Sequence, residues 1–376
     1  MDGQPSLMTM NSRTIATLLF LIAGSLAAAP PPPIRHVFII VLENKGFNTT
    51  FGPSSPATYL SQTLTAQGQL LRQYYGIGHK SLPNYLAMVS GQGPNFVTQA
   101  DCLVYTNVFP GTQTSFFGQT LGQGCVYPAA TKTVADQLTA NGLTWKAYMQ
   151  DIGIATSCRR PVLNFADGTV SARFGDQYAA RHNPFIYFQS LLDSGDCLAN
   201  DVDLDQLRVD LATAATTPNY AFISPNLCED GHDAPCVDGR PGGLLSADLF
   251  LRTWVPRILA SPAWAENGLL IITFDEAEGS DATACCNEMP GLNTVNPGEG
   301  APGPGGGRTG AVLISRFIQP GSVNDTPYNH YALLRSIEDL FALPHLGFAA
   351  QPGLKPFGAD VYNAGLTAVR GRPSRP

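Results

Sequence analysis

His36-Val37-Phe38-Ile39-Ile40-Val41-Leu42 is a seven-residue apolar run, polar only at its first position, and it ends in Glu43-Asn44. A continuous β-branched run of this kind reads as a strand covered on both faces, the pattern of a parallel sheet between helices. Open sheets of that type meet their ligands beyond the carboxyl ends of the strands. Glu43 and Asn44 stand at such an end. The stretch therefore predicts an α/β chain, three layers α/β/α with a mostly parallel central sheet.

Working downstream, Ala57 to Gln67 reads as a helix with Tyr59, Leu60 and Leu64 apolar and Gly68 as its stop. Gly68 to Tyr75 reads as the next strand, closing one βαβ unit. The chain then reaches Gly78-His79-Lys80-Ser81-Leu82-Pro83-Asn84-Tyr85-Leu86-Ala87-Met88-Val89-Ser90-Gly91. Leu82, Tyr85, Leu86 and Val89 recur at helical spacing. Pro83 suits a first turn, where its missing N–H leaves no partner wanting, and Gly91 suits a left-handed stop. Ser81 falls at or near the N-cap, at the positive end of the helix dipole. That position serves a plain cap or a hydroxyl that meets an anion such as a phosphoryl group.

Residues 92–130 read as a long loop. Thr133 to Asp136 forms a capping-box pattern that opens a helix ending at Asn141-Gly142, and Thr144 to Met149 follows as a strand. Residues 151–200 read as irregular. Asn219 to Ile223 is a short strand leading into Ser224-Pro225-Asn226-Leu227-Cys228-Glu229-Asp230-Gly231-His232-Asp233. A helix from Ser246 to Leu259 is interrupted by Pro256; the strand Gly268 to Phe274 ends in Asp275-Glu276. A Pro/Gly-rich loop covers 289–308, Thr309 to Ile314 is a further buried strand, and Tyr331 to Leu343 is a helix preceded by His330.

The ends of the chain read differently. Arg13, the apolar run Ile15 to Leu26 and Ala27-Ala28-Ala29 have the order of a secretory signal peptide over residues 1–29. Its run is shorter than the ~20 residues a spanning helix needs, so no stable membrane anchor is expected. A Pro-rich linker follows over 30–35, the catalytic domain over 36–348, and a tail over 349–376. Eight cysteines without C-x-x-C spacing agree with disulfides and a secreted or periplasmic setting. Closeness pairs Cys102 with Cys125, Cys158 with Cys197 and Cys228 with Cys236. Neighbouring Cys285 and Cys286 would be strained as a pair, which leaves cross-pairing of the last four open. A net charge of −7, with 14% charged residues against about 25% ordinarily, excludes a nucleic-acid binder. No protein partner is implied.

Three strands end in Glu43-Asn44, Asn226…Asp230-Gly231-His232-Asp233 and Asp275-Glu276. Acids gathered at one sheet edge repel one another unless a cation lies among them. Oxygen-rich donor sets suit Ca²⁺, Mg²⁺ or Mn²⁺ more than Zn²⁺. A cation there lowers the pKa of a bound hydroxyl as it does for water, which would make Ser81 an alkoxide nucleophile.

VFIIVLEN, GHKSLPNYLAMVSG, RHNPFIYF, ISPNLCEDGHD, LLIITFDEAEG and YNHYALLRSIEDLFAL, in that order, resemble the phosphoesterase family of acid phosphatases and phosphatidylcholine-type phospholipases C, within the alkaline phosphatase superfamily. The resemblance implies an alkaline phosphatase-like fold and a phosphate ester substrate. It implies Ser81 as nucleophile, and Glu43, Asn44, Asp275 and Glu276 with Ser81 Oγ as ligands of a divalent ion. It further implies Asn84, His182 and His232 near the phosphoryl oxygens or the leaving group. Two departures stand out: Glu276 occupies a position where dizinc alkaline phosphatases carry His, and Asp230 and His232 are only two apart, so the D-x-x-x-H motif is not kept. Asn226, Asp230 and His330 are thus candidate second-ion ligands or phosphate contacts, with one or two ions open.

Phosphomonoester hydrolysis through a phosphoserine is the leading expectation. A phospholipase C needs an apolar mouth, for which Tyr105, Phe109, Phe116 and Phe117 are the candidates. A non-catalytic surface-binding protein of the same fold is the alternative from another class. A Ser-His-Asp hydrolase is disfavoured by the lack of a G-x-S-x-G elbow. His79 reads as a loop residue beside the site.

Overall fold

The computed structural model describes residues 30–154, 156–289, 292–293 and 305–364. The expected signal peptide, most of the 289–308 loop and the last residues of the tail lie outside the described residues.

Eight strands form the central sheet: β1 (His36–Leu42), β2 (Gln69–Leu71), β3 (Trp145–Met149), β4 (Asp201–Asp203), β5 (Tyr220–Ser224), β6 (Gly268–Phe274), β7 (Ala311–Ser315) and β8 (Ser322–Asn324). Their order across the sheet is β8-β2-β7-β6-β1-β5-β3-β4. β1 pairs parallel with β6 and β5, β5 with β3, and β3 with β4; β7 alone runs against its neighbours β6 and β2. The mostly parallel α/β sheet is as the sequence predicts. The helical segments that cover it include α1 (Ser81–Ser90), α2 (Val134–Ala140), α3 (Gly243–Leu259) and α4 (His330–Leu340).

Successive side chains of a strand point to opposite faces, and β1 shows why the sheet needs two layers of helix. Val37, Ile39 and Val41 enter a core with Leu82, Tyr85 and Leu86 of α1, Leu138 of α2, and Leu334 and Ile337 of α4. Phe38, Ile40 and Leu42 enter the other core with Leu251, Trp254 and Ile258 of α3. The capping box forms at Thr133, whose Oγ1 accepts from Asp136 N–H. α3 continues through Pro256, because Trp254, Val255 and Ile258 stay buried on the sheet across the missing hydrogen bond.

Several expectations are corrected. β1 and β2 are not neighbours: the fully buried runs of β6 and β7 take the places between them, and the short Gln69–Leu71 is displaced outward. The predicted strand through Tyr75 breaks, and Tyr74–Tyr75 pairs separately with Tyr328–Asn329. Residues 92–130 contain a hairpin, Phe109–Gln113 with Thr120–Gln123, and residues 151–200 contain short helices Gln189–Ser194 and Asp196–Asn200. The disulfides are Cys102–Cys125, Cys158–Cys197, Cys228–Cys236 and the adjacent pair Cys285–Cys286, so the last four cysteines do not cross-pair.

Candidate active site

β6, β1 and β5 are adjacent and parallel, so the residues after them meet within a few strand spacings of about 4.8 Å. Backbone bonds join these ends. Asp275 N–H donates to Leu42 O at 2.9 Å, and Glu43 N–H donates to Asp230 O at 2.8 Å. The loop after β2 brings α1 to the same edge, and Ser81 with it.

Ser81 is the first residue of α1 and does not act as its cap. Lys80 holds the cap position at φ 79° without a side-chain capping bond, and Leu82 N–H is met by Asp101 Oδ1 at 3.0 Å. The Ser81 hydroxyl instead donates to Glu43 Oε2 at 2.7 Å. One turn along, Tyr85 OH donates to Glu43 Oε1 at 2.5 Å. A positive φ at a lysine is strained by about 1–3 kcal/mol and persists only where the surroundings enforce it. Asn84 does so: Oδ1 accepts from Ile77 and Gly78 N–H at 2.7 and 3.1 Å, and Nδ2 donates to Gly78 and Lys80 O at 2.8 and 2.9 Å. With its amide fully engaged by the turn, Asn84 shapes the loop behind Ser81 and has no group left for a phosphoryl oxygen.

Glu43, Asp230 and Asp275 are fully buried. Burial, followed by the charges of Asp275 and Asp230, raises Glu43 well above the carboxylate range. Burial likewise raises Asp275 and takes Asp230 to about 7. Asp275 Oδ1 accepts from Asn44 N–H at 3.0 Å and Glu276 N–H at 2.7 Å; its Oδ2, like Asp230 Oδ2, has no hydrogen-bond partner among the described residues. His182 lies between acids, Nε2 at 3.4 Å from Glu43 Oε2 and Nδ1 at 3.6 Å from Asp230 Oδ2, and stacks on Tyr85 at 5.4 Å. Burial, then the charge of Arg181, pushes its pKa well below the usual histidine value.

Asn44 Nδ2 donates to Glu276 Oε1 at 2.7 Å, and His79 Nδ1 stands 2.7 Å from Glu276 Oε2. Burial opposes the charge on His79, but the hydrogen bond and charge of Glu276 outweigh it and raise its pKa. His232 is half-exposed at the mouth, its Nδ1 3.1 Å from Asp233 Oδ1, and that hydrogen bond raises its pKa.

Two predicted contacts are not available. His330 Nε2 lies 2.5 Å from the Asp275 backbone O and its Nδ1 3.0 Å from Tyr74 OH. Both nitrogens are engaged, so the ring braces the end of β6 and offers no lone pair to an ion. Asn226 Oδ1 accepts from Cys228 and Glu229 N–H, and its Nδ2 donates to Asp151 Oδ2 at 2.8 Å; it forms the turn. Asp230 keeps a free Oδ2 facing the site.

Buried carboxylate oxygens without partners fit a hard, oxygen-loving divalent cation. Among the described residues, the His/Cys/Asp/Glu triads whose atoms fall within 4.8 Å of one another are Cys158, Cys197, Asp201 and Cys228, Cys236, Asp238. Their sulfurs are already joined as disulfides, so they offer no thiolates. The strand-end acids supply the donor chemistry at wider spacing.

A cavity of about 530 Å³ opens over Ser81, walled by Asn44, His79, Lys80, Asp101, Arg181, His232 and Glu276. A larger one of 680 Å³ around Arg159, Arg160 and the bonded Cys158 lacks such a constellation in its lining. None of the four aromatic candidates walls the cavity over Ser81: Tyr105 is buried, Phe116 and Phe117 pack on Phe348, and Phe109 stands 81% exposed outside its lining. Sequence reasoning missed Tyr85, whose helical spacing marked it as core, Asp101, which carries no local motif, and Arg181, which opens RHNPFIYF but was given no role there.

The model of the Phosphoesterase family matches residues 54–344. The chain is similar to a protein named "Probable acid phosphatase" from Kluyveromyces lactis, 25% identical over 346 residues, covering 91% of this chain and 66% of that one. It is also similar to a phosphatidylinositol-3-phosphatase of Mycobacterium tuberculosis, 25% identical over 333 residues and covering 86% and 82%. Among solved structures, an alkaline phosphatase superfamily protein of Vibrio parahaemolyticus aligns with a TM-score of 0.45 at 14% identity, covering 84% and 68%. The chain thus spans just under two thirds of the length of the Kluyveromyces protein. Matched over most of its sequence, the chain belongs to the phosphoesterase family.

Proposed function

We propose that this chain is a metal-dependent hydrolase of phosphomonoesters, working in an extracytoplasmic compartment through a phosphoserine on Ser81. The observation that carries the reading is the Ser81 hydroxyl at the cavity floor, bonded to buried Glu43 at 2.7 Å and free of capping duty. The acid phosphatase name of the yeast relative supports a phosphomonoester. Four disulfides support an oxidising compartment, and among the described residues no helix is long and apolar enough to cross a membrane.

In this reading Ser81 Oγ attacks phosphorus in line as its proton leaves along the hydrogen bond to Glu43 Oε2. The ester P–O bond breaks, and His232 at the mouth gives the leaving oxygen its proton. Water then attacks the phosphoserine and passes a proton to His232, the P–Oγ bond breaks, and Glu43 returns its proton to Ser81 Oγ. Tyr85 holds Glu43 by its hydrogen bond with His182 alongside, while Arg181 and Lys80 draw the anion into the cavity. One or two ions of Ca²⁺, Mg²⁺, Mn²⁺ or Zn²⁺ would be held by Glu43, Asp275 and Ser81 Oγ, with Asn44, Asp230 and Glu276 beside them, and supply Lewis-acid stabilisation of the phosphoryl oxygens.

Rapid acid quench with a labelled phosphomonoester tests the proposal. Label is expected on the peptide that contains Ser81, and both Ser81→Ala and Ser81→Asp should fold yet lose turnover by several orders of magnitude, with Ser81→Thr retaining some. Near-normal turnover in Ser81→Asp, without labelled peptide, would return Ser81 to a structural role. The phospholipid-headgroup reading, supported by the mycobacterial relative's name, gains a structural argument from the surface around the cavity.

A further inference from the structure

The segment 101–106 runs beside residues 162–167. Val104 bridges Ala166, Tyr105 N–H donates to Phe165 O at 3.0 Å, and Asp167 N–H donates to Leu103 O at 2.9 Å. This pairing leaves three apolar side chains in solvent: Leu103 at 52% exposure, Val104 at 47% and Phe165 at 65%. Further along the chain, Val170 is 41% exposed and Phe174 is 83% exposed on a turn closed by Arg173 and Asp176. Single exposed apolar residues are ordinary, whereas a contiguous set marks an interaction surface. This set is continuous with the catalytic cavity, since Leu103 and Val170 are also walls of the space over Ser81. Arg181, another wall, donates to Val170 O at 3.0 Å.

Charge separates this face from the rest of the molecule. The chain carries −7 overall, yet residues 159–181 hold four arginines against two aspartates. Asp167 is buried, Asp176 is paired with Arg159 at 2.6 Å, and Asp101 of the neighbouring segment stands 4.0 Å from Arg181. Arg160 and Arg173 stay exposed, and neither enters an ion pair among the described residues. Aromatic and aliphatic side chains flanked by free cations are the chemistry of an anionic bilayer interface.

We infer that this face docks on an anionic phospholipid bilayer and holds the Ser81 cavity against phosphate esters borne on its surface. The inference deepens the phosphoesterase reading and rests on it for what docking delivers. The aliphatic and aromatic tips enter the headgroup boundary, Arg160 and Arg173 meet lipid phosphates, and Lys80 and Arg181 lead the headgroup inward.

The test is sedimentation of the mature chain with phosphatidylcholine vesicles, with and without phosphatidylserine, alongside turnover of a water-soluble phosphomonoester. The wild type should sediment with the anionic vesicles and be released by salt. The double variant Phe165→Ser/Phe174→Ser, at two exposed positions, should lose vesicle affinity by roughly tenfold or more with soluble turnover unchanged. A wild type that stays in the supernatant at low salt, or a double variant that binds as well as wild type, would overturn the docking face. So would a dimer, seen by light scattering, that this variant dissociates, because the face would then belong to a second copy. Vesicle binding without monoester turnover leaves the docking face standing and overturns the phosphoesterase reading instead.

Discussion

His330 holds Asp275 by its backbone: Nε2 lies 2.5 Å from the Asp275 carbonyl oxygen, and Tyr74 OH meets Nδ1 at 3.0 Å. The arrangement anchors the residue that follows β6 to the start of α4, with the imidazole buried and its pKa lowered to about 4 by that burial. His330→Phe keeps an aromatic body but leaves two buried polar groups unpaired, a loss of about 1–3 kcal/mol for each. Denaturant unfolding should show that loss, while the metal content per folded molecule stays at the wild-type value. A drop in metal stoichiometry with unchanged stability would make His330 a ligand after all.

Asn84 makes four hydrogen bonds to the turn that presents Ser81. Asn84→Ala removes them all, so stability should fall by a few kcal/mol and turnover should fall through kcat more than KM, as Ser81 loses its aim. Steady-state kinetics at a temperature well below the unfolding midpoint separate the two effects. A variant with normal kcat would show that Lys80 holds its strained φ unaided.

Exhaustive chelation should abolish turnover while far-UV circular dichroism persists, and back-titration with each of Ca²⁺, Mg²⁺, Mn²⁺ and Zn²⁺ should identify the ion. In the same assay Asp275→Asn should lose roughly 100-fold or more. Asp233→Asn, altered in a disulfide loop where its carboxylate meets the half-exposed His232, should lose less than about tenfold. Equal losses would remove the distinction between the strand-end acid and the loop acid.

Stability should fall as pH rises. Burial lifts Glu338 from 4.5 to about 9 and Asp201 from 3.8 to about 8. Both are held neutral in the fold, so each adds no penalty below its ordinary pKa. Between that value and the raised one, the folded state binds more protons than the unfolded state. Each group then lowers stability by up to about 1.4 kcal/mol per pH unit. Glu338→Gln, which keeps an oxygen for the Leu346 N–H that Oε1 now accepts at 2.9 Å, should flatten the curve between pH 5 and 9. A curve as steep as wild type would mean that Glu338 is charged in the fold.

The architecture was legible because β1 and β6 are unbroken apolar runs, and such runs have only one stable setting, between two helical layers. That their terminal acids, Glu43, Asp275 and Glu276, gather at one sheet edge was legible for the same reason: the carboxyl end of a parallel strand is a place, and adjacent strands share it. Tertiary structure decided the order of strands, because burial of competing runs and not closeness in the chain put β6 and β7 between β1 and β2. It also decided which polar side chains remain available. Asn226 and His330 have the right chemistry for ligands, but long-range partners occupy them, Asp151 and Tyr74 among others. Tyr85 looked like core by its spacing, yet the turn of α1 places its hydroxyl on Glu43. Periodicity reports which face of an element is buried; only the packed neighbours determine which polar atom that face meets, since hydrogen bonds depend on distances of a few tenths of an ångström between residues far apart in the chain.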